Sequence, residues 1–179
     1  MASIRQLKSR IRSVGNTKQI TRAMQMVAAS KMRRAQEATK ASTPYTQAGS
    51  ELLAHLATQV ATSEHPLFER REIKDRLIIL IAADKGLAGA YNVNVFKKYL
   101  ALLKRDEERG IKSQTLTVGR KASQFASRIK EIDVVGSYDD LPDQPDDVSF
   151  QTILSVAIDA YIEKDVDAVT IVYTDFVSS

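Results

Sequence analysis

The chain has few residues able to do chemistry, and their spacing argues against most of it. His55 and His65 are the only two histidines. They stand ten positions apart with no further ligand at metal-site spacing, so they read as surface or capping residues. Asp139, Asp140, Asp143, Asp146 and Asp147 have the composition of a calcium loop. The glycine and terminal glutamate of an EF-hand are missing at the required positions, and a solvated loop is the reading. With no cysteine there is no thiolate chemistry, no disulfide and no sulfur-ligated metal. No Ser/His/Asp arrangement is legible. The expectation is a chain with no catalytic residues, no metal site and no cofactor.

The segment Asp84-Lys85-Gly86-Leu87-Ala88-Gly89-Ala90-Tyr91-Asn92 follows an apolar run and could aim backbone N–H groups at a phosphate. Its glycines are spaced neither as GxGxxG nor as GxxxxGK(S/T). Asp84, Lys85, Gly86 and Gly89 therefore read as a structural turn, the glycines permitting a tight passage from strand to helix.

Charge is the stronger signal. Residues 1–40 carry ten cations, Arg5, Lys8, Arg10, Arg12, Lys18, Arg22, Lys31, Arg33, Arg34 and Lys40, against one anion, Glu37. The whole chain has 26 basic and 22 acidic residues, so the rest holds 16 and 21, and the net +4 combines a local +9 with −5. Such an arm suits an acidic surface. Phosphate neutralisation would also let it bind nucleic acid, although no aromatic residue precedes Tyr45, which disfavours stacking on single strands.

These cations ride on a long helical pattern. Ile4, Leu7, Ile11 and Val14 are spaced 3-4-3, and the stripe resumes at Ile20, Met24, Val27, Ala28, Met32 and Ala35 after an interruption around Gly15-Asn16-Thr17. The six-residue step from Val14 to Ile20 moves the stripe around the helix as a heptad discontinuity would. A helix over 3–60 would be a rod of roughly 85 Å that cannot bury its own stripe. Pro44 should kink it or divide it in two. Leu52, Leu53, Leu56 and Val60 continue the stripe, and Thr62-Ser63-Glu64-His65-Pro66 reads as the exit.

From Arg76 the period changes. Residues 77–83 form an apolar run suited to a strand covered on both faces. A helix to about residue 109, a strand over 115–118, a short helix over 121–130 and a strand over 132–135 follow. Next come a loop over 138–148, a helix over 149–164 with Ile153, Val156, Ala157, Ala160 and Tyr161 facing inward, and a strand over 168–173. This α/β alternation predicts a Rossmann-like domain with a mainly parallel sheet and helices on both faces. The domains expected are a shaft helix over 1–61, a linker over 62–75 and the α/β domain over 76–179. At 44% apolar and 27% charged the composition is ordinary for a globular protein. The start lacks a signal-peptide core, and no run is long enough to span a bilayer, so a soluble, intracellular protein is expected.

Residues 4–36, IRQLKSRIRSVGNTKQITRAMQMVAASKMRRAQ, closely resemble the N-terminal helix of the γ subunits of F-type ATP synthases. The resemblance continues through Thr43-Pro44-Tyr45, His65-Pro66, Ala83 to Asn92, Val95-Phe96-Lys97-Lys98 and Val169-Thr170-Ile171-Val172-Tyr173, and so covers the whole chain. The family typically has serine or threonine at the position of Ala83 and often cysteine at that of Ala88.

The resemblance implies a non-catalytic central-stalk subunit that transmits torque between a membrane c-ring and a catalytic ring of α and β subunits. In the family the N-terminal helix pairs with a C-terminal helix as a coiled coil inside that ring, and the α/β domain lies near the ε subunit. The implied partners are thus the α and β subunits, the ε subunit and the c-ring, with no direct nucleic-acid partner. The implied location is peripheral, on the cytoplasmic face of a bacterial plasma membrane or an equivalent energy-coupling membrane. Lys18, Arg22, Met24, Lys31, Arg33 and Arg34 become the candidates for contact with acidic loops of the β subunits. The family's C-terminal helix has no counterpart before Ser179. The expectation is a fragment, or a chain lacking the second strand of the shaft, whose arm frays or associates with another chain.

Overall fold

A computed structural model describes residues 3–58, 65–142 and 147–176. Two compact units divide the chain between residues 62 and 63.

The first unit is one helix, α1 (Ile4–Leu56), of 53 residues and about 80 Å in length. Ser3 caps it. The Ser3 hydroxyl accepts from the Arg5 amide at 3.3 Å and the Gln6 side chain accepts from the Ser3 amide at 3.2 Å, a reciprocal arrangement that satisfies otherwise orphaned donors. Helix α1 runs through Pro44 without ending there, so of the two alternatives, a kink or a division, the division does not occur. Proline removes the donor that would serve the Lys40 carbonyl. Neighbouring hydroxyls bond the backbone around the gap: Thr39 to Ala35 O at 2.9 Å, Thr43 to Thr39 O at 2.7 Å and Thr46 to Ser42 O at 3.0 Å. No residue of α1 is buried.

The second unit is a four-stranded sheet with helices on both faces. Its elements are β1 (Asp75–Ile81), α2 (Tyr91–Glu108), β2 (Lys112–Val118), α3 (Arg120–Ala126), β3 (Asp133–Tyr138), α4 (Asp147–Ile162) and β4 (Ala168–Val172). The strands run parallel in the order β3-β2-β1-β4. Strand β1 is central and alternates its side chains between two cores. Leu77 and Ile79 join Leu116, Val118, Ile153, Ala157 and Val166 under α4. Ile78 and Leu80 join Val95, Tyr99 and Ala122 under α2 and α3. On that second face the Tyr99 and Thr115 hydroxyls lie 2.6 Å apart, so each polar tip is satisfied where burial would otherwise penalise it. Burial in turn pushes the Tyr99 phenol above its ordinary value, opposed by the Thr115 hydrogen bond.

A buried ion pair ties the sheet to α2. Arg76 Nε donates to Asp106 at 2.7 Å and its Nη1 to Thr170 at 2.8 Å, while the Ser113 hydroxyl donates to the same Asp106 oxygen at 3.2 Å. One cluster thereby joins β1, β2, β4 and the end of α2, and Asp106 is fully enclosed.

Several element ends differ from the sequence reading. Strand β3 continues to Tyr138, beyond the expected 135, because it pairs with β2 as far as Val118 after a register shift between Thr115 and Leu116. Helix α3 ends at Ala126 rather than 130. In α4, Val156 is not among the inward residues and stays exposed. At about 100° per residue the line through Ile153, Ala157 and Tyr161 leaves Val156 roughly 60° or more to one side. The expected exit at Thr62-Ser63-Glu64, the stripe position Val60, and Asp143, Asp146 and Val177 to Ser179 lie outside the described residues.

Candidate functional site

On α1 the six candidate contact residues, Lys18, Arg22, Met24, Lys31, Arg33 and Arg34, are all exposed. They do not share one face. At about 100° per residue, Arg22 and Arg33 lie within roughly 60° of Lys18, whereas Met24, Lys31 and Arg34 are about 120–160° away. The first apolar stripe, Ile4 to Val14, lies on the Lys18 side. The second, Ile20 to Ala35, lies on the Met24 side apart from Met32, which falls about 40° from Lys18. The stripe changes sides across Gly15-Asn16-Thr17, where the Thr17 hydroxyl bonds back to Ser13 O at 3.0 Å and Thr21 to Thr17 O at 2.8 Å.

At and just after the crossing, Val14, Thr17, Lys18, Thr21, Arg22 and Gln25 line a shallow, open concavity on the helix side. Beyond the crossing, Lys18, Arg22 and Arg33 present charge on one side with Met32 among them, and Ile20, Met24 and Val27 present apolar surface on the other, beside Lys31 and Arg34. A helix so arranged can lay its apolar surface against a partner while offering cations from both sides. Arg33 approaches Glu37 at 3.9 Å with both side chains exposed, a pair that water screens strongly.

The 84–89 turn is built differently. Asp84 Oδ1 accepts from the Arg120 amide at 2.9 Å and the Asp140 amide at 3.1 Å. The carboxylate thus occupies the amide at the start of α3 that a phosphate would seek. Arg120 also pairs with the Asp140 carboxylate. That hydrogen bond first, then the charges of Asp140, Asp84 and Asp139, raise the Arg120 guanidinium above its ordinary value. Asn92 Oδ1 accepts from the Ala83 amide at 3.0 Å. Lys85, Gly86 and Gly89 are exposed, Gly89 at φ 55°, and a Cβ on either glycine would meet nothing within 4 Å.

Gly119, at the β2–α3 turn, is the crowded glycine. Its φ is 93° and a Cβ there would fall 2.1 Å from the Ala82 carbonyl oxygen. The sequence reading did not single it out, since a lone glycine after a strand has many uses. His65 caps the turn at Pro66–Phe68, its Nδ1 accepting from the Leu67 amide at 3.3 Å. Among the described residues no group of three or more His, Cys, Asp or Glu side chains could hold a metal ion. No described helix is long and apolar enough to cross a membrane.

A family model described as ATP synthase matches residues 3–179. The chain is 42% identical over 180 residues to a protein named ATP synthase gamma chain from Xanthomonas axonopodis pv. citri. It is 43% identical to the one from Xanthomonas oryzae pv. oryzae and 41% to the one from Stenotrophomonas maltophilia. Each alignment covers all of this chain and 62% of the relative.

Proposed function

This chain belongs to the ATP synthase family, and from that premise we propose that it acts as the γ subunit of the complex, a non-catalytic part of the central stalk that carries torque. The observation that carries the reading is the combination of similarity along the whole of this chain with α1, a helix of 53 residues and no buried position. A helix of that kind needs a surrounding partner, which a ring of subunits provides. In this reading residues 1–61 are the shaft, 62–75 connect it, and 76–179 form the α/β domain. The α and β subunits surround the shaft, and the ε subunit and the membrane c-ring adjoin the α/β domain. The protein is then peripheral to the cytoplasmic face of an energy-coupling membrane. The nucleic-acid alternative draws no support from the family assignment.

Within the ring, Lys18, Arg22 and Arg33 form one contact group for acidic β-subunit loops, and Met24, Lys31 and Arg34 a second on the other side of the helix. The turn at Asp84, Lys85, Gly86 and Gly89 is structural. Exposed charge pairs contribute under about 1 kcal/mol each, so the cations act collectively and in a salt-sensitive way.

Co-expression with the α and β subunits tests this. The chain should co-purify with them at low salt in a complex that hydrolyses ATP. Lys18→Ala should change little. Reversing Lys18, Arg22 and Arg33 together to Glu should release the chain at distinctly lower salt. Failure of the unaltered chain to co-purify would sink the shaft reading. Unchanged retention of the triple reversal would sink the proposed contact.

A further inference from the structure

Residues 62–75 read as a linker in the sequence, yet the described part is bound to the α/β unit by contacts that reach across about ninety positions. The Tyr161 hydroxyl donates to the Glu69 carbonyl at 2.6 Å. Arg71 Nη2 donates to the Tyr161 carbonyl at 2.7 Å, and its guanidinium lies over the Tyr161 ring, 4.2 Å from the centroid. The Lys74 and Asp75 amides both donate to Asp167 Oδ2, at 2.9 and 3.1 Å, and the Asp167 amide returns a bond to the Asp75 carbonyl at 2.8 Å. Lys164 approaches the Glu69 carboxylate at 3.9 Å.

We infer that Arg71 is the clamp of this strap: it holds residues 65–74 to the C-terminal end of α4 and to the turn before β4, making them a rigid part of the α/β unit. Arg71 is the one strap side chain that meets Tyr161 at both its ring and its carbonyl while standing 4.0 Å from the carboxylates of Glu69 and Asp167. Its side chain is only 12% exposed, and its Nε and Nη1 are enclosed without hydrogen-bond partners. A cation accepts such enclosure where a ring face and two carboxylates compensate for lost water. A flat guanidinium can stack and donate at once, which an ammonium cannot.

The mechanical consequence rests on the shaft reading. A load delivered to the strap would reach α4 and β4 instead of being absorbed within residues 65–74. The clamp itself stands on contacts within the α/β unit and is tested without any partner.

Amide hydrogen exchange on the full chain reads it directly. The reporters are the Phe68, Glu69 and Lys74 amides, bonded to His65 O, Pro66 O and Asp167 respectively. In Arg71→Ala they should exchange about ten-fold faster or more, while residues 77–80 and 116–118 keep their protection, as expected of a local opening. Arg71→Lys should resemble Arg71→Ala. Tyr161→Phe, which loses only the hydroxyl bond to Glu69 O, should give a smaller rise. Unchanged strap exchange in Arg71→Ala, full rescue by Arg71→Lys, or a uniform rise through β1 and β2 would each overturn the clamp. Loss of co-purification with the α and β subunits in the unaltered chain would remove the mechanical consequence and leave this result standing.

Discussion

Helix α1 and strand β1 carry comparable apolar side chains and place them in opposite environments. Ile11 on α1 is 72% exposed, whereas Ile78 on β1 is fully enclosed. Strand β1 lies between neighbours on both edges and helices on both faces, so its apolar surface leaves water within the unit itself. Helix α1 satisfies its backbone along its own length but leaves its stripe exposed, with no buried residue. Backbone hydrogen bonding and side-chain burial are thus separable, and the α/β unit achieves both where α1 achieves only the first.

The sharpest way to break the contrast is Gly119→Ala. With the Cβ 2.1 Å from the Ala82 carbonyl oxygen at φ 93°, the α/β unit should lose more than about 4 kcal/mol in chemical denaturation. A loss under about 1 kcal/mol would mean the turn relaxes freely. Asp106→Ala comes next. It leaves Arg76 as an uncompensated buried charge and should cost about 3–5 kcal/mol. If Asp106→Asn, which keeps the shape and removes the charge, proved nearly harmless, shape or hydrogen bonding rather than charge would be the cause.

Acid gives a smaller, graded effect. The Lys74 and Asp75 amides, then the charges of Arg71 and Lys74, hold the Asp167 carboxyl below its ordinary 3.8. Because the folded value is depressed, the stabilisation is present above the ordinary value and is lost as pH falls through the folded one. Denaturation midpoints followed below pH 3.8 should fall more steeply in the unaltered protein than in Asp167→Asn; equal slopes would remove Asp167 from the account. The smallest effect belongs to α1. Ile11→Ala should shift the stability of the isolated chain by under about 0.5 kcal/mol. A loss of a full core residue's size, about 2 kcal/mol or more, would show that Ile11 is covered in solution and erase the contrast.

Legibility followed the same division. The run at 77–83 announced a buried strand, and the 3-4-3 spacing of Ile4, Leu7, Ile11 and Val14 announced a helix, since both signals lie in successive residues. At Pro44 the sequence left a kink or a division open, and the helix runs on because long helical stretches on either side outweigh the one lost donor. Strand β3 was drawn short because Gly136 and Ser137 are weak strand formers that pairing with β2 overrides. Arg76, Asp106 and Arg71 carried no signal. In a chain with 48 charged side chains, nothing local marks the few that are enclosed.

The amino-acid sequence by itself determined the basic arm and the alternation of helices and strands, because composition and periodicity are properties of neighbouring residues, and its quoted motifs carried the resemblance to the family. Only the tertiary structure decided the order β3-β2-β1-β4, the two cores on either side of β1, and the meeting of Arg71 with Tyr161 or Arg76 with Asp106. Those contacts join residues thirty to ninety positions apart. They exist only once the sheet has closed and the entropy of bringing distant segments together has been overcome.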